Sequence, residues 1–107
     1  MRDRIIVKKD QIPYGFHIAL GKEKFNLRFL YNQTADLFTV SLYRDGTLLC
    51  ADEPLIYGVP LFRDVYVSGK FPMIKVVPWD ESENEEEVTW ENFGSTVFLT
   101  IENRRYG

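Results

Sequence analysis

Residues 24–32 read Lys24-Phe25-Asn26-Leu27-Arg28-Phe29-Leu30-Tyr31-Asn32. Phe25, Leu27, Phe29 and Tyr31 alternate with Lys24, Asn26, Arg28 and Asn32, and only Leu30 interrupts the polar set. Successive side chains of a strand point to opposite faces, so this stretch lays four large apolar groups on one face of a sheet. Phe16, Ile18 and Leu20 repeat the pattern upstream, and Phe38, Val40 and Leu42 repeat it downstream against Thr39 and Ser41. Val97, Leu99 and Ile101 do the same near the end of the chain, although Phe98 adds an apolar group to the polar side. No stretch keeps the i, i+3, i+4, i+7 spacing of an amphipathic helix for three turns. The chain reads as β.

Turn chemistry divides the strands. Asp45-Gly46 lies between Leu42-Tyr43-Arg44 and Thr47-Leu48-Leu49, and a two-residue type I′ hairpin turn needs positive φ at both central residues. Gly21–Lys24 and Asn32–Asp36 supply the two preceding turns. The expectation is a four-strand antiparallel meander over about 16–20, 24–32, 37–44 and 47–50. Strands at about 73–78 and 96–102 close or cover it, with 4–8 on an edge. Seven short strands in one domain, 1–107, predict an all-β fold: a small antiparallel barrel or sandwich. Between them, Pro54 and Pro60 lack amide donors, so Glu53–Leu61 reads as an irregular crossover whose Leu55, Val59 and Leu61 plug the core. A helical turn fits somewhere in Leu61–Val67, and Thr89–Gly94 reads as a short turn.

The 107 residues are 45% hydrophobic, near the globular average, which excludes global disorder. No apolar run approaches the ~20 residues of a spanning helix, and Ile5-Ile6-Val7 is too short for a signal peptide. The net charge of −3 is unevenly placed: seven acids stand between Asp80 and Glu91, leaving 13 basic against 9 acidic residues elsewhere. Residues 80–91 have the composition of a mobile acidic loop. Arg2, Arg4, Lys8 and Lys9 open the chain, and Arg104 and Arg105 nearly end it. These are either ordinary solvated ends or opposite poles that can meet a neighbouring copy.

No reaction site is legible. His17, the only histidine, alternates with Phe16 and Ile18 and so faces away from their side of the strand. Cys50 stands alone, which rules out an internal disulfide and a zinc site of His and Cys ligands, and no serine lies in a nucleophile motif. The glycines form no phosphate loop. Asp80, Ser82, Asn84, Glu86 and Glu91 fall at positions 1, 3, 5, 7 and 12 of a calcium-loop spacing, but Glu85 occupies the place that needs glycine. No cofactor and no metal is therefore expected. What remains is an aromatic surplus: of sixteen aromatic residues, Tyr14, Tyr43, Tyr57, Tyr66, Trp79, Trp90 and Tyr106 find no slot in the alternating core. Tyr and Trp give large contact area at low entropic cost, so they suit either an interface or the open ends of the fold.

The ordered motifs carry a family resemblance. Phe16-x-Ile18-x-Leu20 and Phe25-x-Leu27-x-Phe29-x-Tyr31-Asn32 are followed by Asp45-Gly46 and Leu55-x-x-Gly58-Val59-Pro60-Leu61. Val76-Val77-Pro78-x-Asp80, Asn92-Phe93-Gly94 and Val97-Phe98-Leu99 complete the series. Together, from about Ile5 to Ile101, they resemble the baseplate plug family of contractile-tailed phages and prophages. Phe38 departs from the tryptophan that often opens the fourth strand there. The resemblance implies a non-enzymatic structural protein of the tail baseplate near the central hub, assembled in the host bacterial cytoplasm and carried in the virion tail. Its implied partners are hub, tail tube or other baseplate proteins, with self-association open and neither nucleic acid nor membrane. Interface candidates are Tyr14, Tyr43, Tyr57, Tyr66, Trp79 and Trp90, with charge steering from Arg104, Arg105 and the acidic loop. The alternative is a small β-barrel module that binds an oligonucleotide or oligosaccharide.

Overall fold

The alternation at Phe25–Tyr31 becomes the second strand of a four-stranded meander. A computed structural model describes residues 2–105, with side chains through Glu102. Its strands are β1 (Asp3–Ile5), β2 (Tyr14–Leu20), β3 (Glu23–Asn32), β4 (Leu37–Arg44), β5 (Thr47–Pro54), β6 (Ile74–Trp79) and β7 (Phe98–Arg105). They form two antiparallel sheets, β2-β3-β4-β5 and β1-β7-β6. The fold is a sandwich, not a closed barrel.

The facing apolar sides make the core. Phe25, Leu27 and Phe29 of β3 and Phe38, Val40 and Leu42 of β4 are at most 2% exposed, and Val76 and Leu99 meet them from the other sheet. Removing a side chain of this size from water stabilises by roughly 1.5–3 kcal/mol. Leu30, the residue out of pattern, lies on the solvent side at 38% exposure. Asp45 and Gly46 have φ of 52° and 78°, as the type I′ turn requires. Asn32 Oδ1 accepts from the Ala35 N–H (3.1 Å) and shapes the preceding turn.

Several boundaries differ from the sequence reading. β5 runs on to Pro54 instead of stopping at Cys50, which an edge strand allows because its outer side needs no donor. It bulges twice against β4, and at the first bulge the Asp52 N–H donates to Ser41 Oγ (3.0 Å). β1 is shorter than expected, because Ile6 and Val7 leave the sheet before a 3-10 turn at Lys9–Gln11. β7 starts later, at Phe98, because Thr96 and Val97 close a turn by donating to the Asn92 carbonyl (3.0 Å each). The helical turn in Leu61–Val67 is a single 3-10 turn at Arg63–Val65.

The acidic stretch expected to be mobile is tied at both ends. Asp80, 2% exposed, accepts from Ser82 N–H (2.9 Å) and Oγ–H (2.6 Å) on one oxygen and from the Asn84 and Glu85 N–H groups (3.0 Å each) on the other. Asn92, 8% exposed, accepts from Thr89 N–H (2.9 Å) and donates to Glu85 Oε2 (3.1 Å) and the Glu87 carbonyl (2.9 Å). Composition shows the charge of such a loop; two buried polar side chains give it shape.

Candidate interaction surface

Strand alternation in the three-stranded sheet puts Phe98, Thr100 and Glu102 of β7 beside Lys75, Val77 and Trp79 of β6, on the side away from the core. Arg4 of β1 joins them opposite Thr100. The Arg4 guanidinium lies 3.9 Å from the centre of the Phe98 ring, and that of Arg2 lies 5.1 Å from the Trp79 ring. Arg2 Nη1 also donates to Thr100 Oγ1 (3.3 Å), whose hydroxyl donates to the Val77 carbonyl (2.8 Å). Each cation over a ring is stabilised by about 0.5–1 kcal/mol at an exposed site. Arg4 Nε is shielded from water and makes no hydrogen bond, while the Arg2 backbone N–H donates to Glu81 Oε1 (3.0 Å); neither guanidinium is in a salt bridge with a carboxylate among the described residues. The face is aromatic and rich in arginine, with Glu102 and Lys75 at one end of it.

The aromatic candidates do not gather into one patch. Tyr57 stacks on Trp79 (5.3 Å, 22°), and its hydroxyl accepts from the Asp80 N–H (3.1 Å), so this pair leans on the arginine-rich face. Trp90 is elsewhere. It stacks flat on Phe38 (5.8 Å, 7°) and meets Tyr31 at 4.8 Å, with 38% of its surface exposed. Its backbone N–H and the Tyr31 hydroxyl both donate to Asp36 Oδ1, at 2.9 and 2.6 Å. The Tyr31 hydroxyl, then the Trp90 N–H, hold the Asp36 carboxyl below its ordinary range, and the same bond raises the phenol of Tyr31. Lys9 Nζ donates to the Trp90 carbonyl and sits 5.1 Å from its ring.

Tyr14 accepts from the Lys8 N–H (2.6 Å) and packs on Phe16 and Phe29. Tyr66 packs at 6.3 Å from Phe71. Tyr43, on the open face of the meander, borders a shallow depression of about 310 Å³ with His17, Asn26 and Arg28. Most of the aromatic surplus thus has local work: rings over the core edge, hydroxyls accepting from backbone N–H groups. The side chains of Arg104 and Arg105, and Tyr106, lie outside the described residues. Sequence reasoning missed Arg2, Arg4 and Phe98 as one surface. The signal was there, since register places Phe98 and Arg4 on one face once β7 is given two neighbours.

His17 is exposed, and burial first, then Glu53 and Asp52, pushes the Cys50 thiol up, away from its nucleophilic form. The acidic turn opens into a polar depression lined by Glu85, Glu86, Glu87 and Glu91, but both Asp80 oxygens are committed to the turn itself. Among the described residues no group of three or more His, Cys, Asp or Glu side chains is placed to hold a metal ion.

The model of one family, described as "Cyanophage baseplate Pam3 plug gp18", matches residues 2–104. The chain belongs to this family. The match spans both sheets and the turns between them, so it concerns the whole sandwich and not one motif. No curated protein matches the chain. Membership of the plug family points to a structural component of a phage baseplate, located in the virion tail and in contact with other baseplate proteins.

Proposed function

We propose that this plug-family protein acts without catalysis, as a rigid wedge that docks near the central hub and fixes its neighbours in place. The observation that carries the reading is the outer face of β1-β7-β6, where the Arg2 and Arg4 guanidinium groups lie over Trp79 and Phe98 and form no salt bridge among the described residues. Such groups supply what interface anchors need: large flat area, low entropic cost and a charge awaiting its complement. Hub or tail tube proteins presenting acidic side chains are the expected partners. Tyr57 and Trp79 extend the anchor. Trp90, Tyr14, Tyr43 and Tyr66 are further contact candidates on other faces, with Arg104, Arg105 and the acidic turn steering approach. Assembly takes place in the host cytoplasm before the tail is complete.

The test is capture of hub and tail tube proteins encoded with this chain by the purified protein at micromolar concentration. Wild type retains at least one of them, and Arg2→Glu/Arg4→Glu weakens retention by about tenfold or more, since reversed charge on a desolvated anchor costs more than one decade. Recovery of none, or retention unchanged in the double variant, rejects the reading.

A further inference from the structure

A two-sheet sandwich has four strand edges, and three of these are closed or guarded. Along β6 the outer edge receives the N–H groups of Gly58 and Leu61, which donate to the Pro78 and Val76 carbonyls (2.9 Å each). β5 ends in Pro54, carries two register shifts and holds Asp52 at φ 54°, all devices that discourage a further strand. β1 pairs over three residues, two of them the charged Asp3 and Arg4. β2 differs. It pairs with β3 in unbroken register over all seven residues and contains no proline and no Asp, Glu, Lys or Arg. Alternate residues of an antiparallel strand turn their N–H and C=O outward, so β2 offers an uncharged row of donors and acceptors. The apolar row also thins at this edge: Phe25, Leu27 and Phe29 are buried, whereas Tyr14, Phe16 and Ile18 are half-exposed and Leu20 alone of the β2 row is buried.

The residues of β2 are complementary to their own reversal. About His17, the centre of Tyr14–Leu20, Phe16 stands opposite Ile18, Gly15 opposite Ala19 and Tyr14 opposite Leu20. A two-fold axis through His17, perpendicular to the sheet, keeps each pair on one face. Aromatic–aliphatic pairs then fall on the core side and small–small pairs on the open side, and each core-side pair is of the kind that stabilises a ladder.

We propose that β2 is the seam of a symmetric dimer, in which two copies pair β2 to β2 antiparallel about His17 and join two four-stranded sheets into one of eight. This deepens the docking reading above by naming an edge and its occupant, a second copy of this chain. At the centre of the seam His17 stands against its symmetry mate. The groups facing His17 on that side are Asn26, Lys24 and Arg28 of β3, the last two diagonal to it, and Tyr43 of β4 beyond Asn26. Like charges placed at position 17 would stand directly opposite each other with two further cations close by, whereas opposite charges there would attract.

Sedimentation velocity from about 10 to about 100 µM and at about pH 8 reads the result directly. Wild type sediments as a dimer. His17→Lys and His17→Glu, each folded by circular dichroism because the side chain is exposed, are monomers alone, and an equimolar mixture of the two recovers a dimer. Wild type monomeric throughout the range overturns the proposal, and so do dimers unchanged in both variants. A monomeric wild type that still captures hub or tube protein, with capture lost in His17→Lys, means that β2 takes a foreign strand: the docking reading survives and the second copy does not.

Discussion

The meander from Tyr14 to Pro54 and the stretch from Leu55 to Val97 are similar in length and are held by different means. In the meander, alternation supplies many equivalent anchors, and Phe25, Leu27, Phe29, Phe38, Val40 and Leu42 share one continuous core. In the second stretch, outside β6, the buried apolar residues (Leu55, Leu61, Phe62, Phe71, Val88 and Phe93) are scattered without period, and single polar atoms set the turns between them: Tyr57 hydroxyl to Asp80, Asp80 to three residues of its own turn, Asn92 to the return. The Phe62 N–H, at a left-handed residue, is satisfied by Glu53 Oε2 at 2.6 Å. A distributed apolar core fails globally when a large piece is removed. A polar hinge fails locally and with pH.

The largest expected effect therefore belongs to the meander. Phe29→Ala removes a ring with no exposed surface, stacked on Phe16 at 5.7 Å, and should cost about 3–5 kcal/mol in denaturant unfolding. That is a large part of the ~5–15 kcal/mol that holds a typical domain. A cost under about 1 kcal/mol would mean that the core tolerates a cavity here, and the contrast between the two regions would collapse.

The same contrast explains what the sequence shows. Period-two alternation locates β2, β3 and β4 to within about two residues, because it reports which side chains leave water. It is silent where a strand end is decided by one polar bond. Val97 fits the β7 alternation, yet its N–H is spent on the Asn92 carbonyl and the strand begins one residue later. Tyr57 and Tyr14 look surplus in a pattern of apolar residues, because no pattern reveals that a hydroxyl accepts from the backbone N–H of a residue outside its own strand or turn. Arg2 and Arg4 read as an ordinary basic start until the pairing of β1 with β7 lays them over aromatic rings.

Asp80 gives the intermediate effect and the pH dependence. The Ser82 hydroxyl, with the N–H groups of Ser82, Asn84 and Glu85, holds its carboxyl below the ordinary range, against an opposing effect of burial. A carboxyl whose folded pKa lies below its unfolded value of ~3.9 stabilises the fold above that value and loses the contribution as pH falls through the folded pKa. Asp80→Asn keeps one acceptor oxygen and removes the charge. At neutral pH it should melt lower than wild type and lose amide protection at Asn84 and Glu85. Below about pH 4 the two melting curves should converge. A difference that stays constant through the acid range would show that the charge on Asp80 has no part in the turn.

The smallest effect is the sharpest control, because it lies one residue from the largest. Leu30 follows Phe29 on β3, points to the opposite face and stands across from Thr39 on β4. Leu30→Thr keeps a strand-favouring side chain and gives Thr39 a partner of its own kind, so unfolding should shift by no more than about 0.5 kcal/mol in either direction. Neighbouring substitutions on one strand, one severe and one silent, are what a two-faced sheet demands. If Leu30→Thr leaves stability alone and still weakens capture by the baseplate, the open face of the meander is a contact surface too, and its exposed leucine is explained by a neighbour instead of by the core.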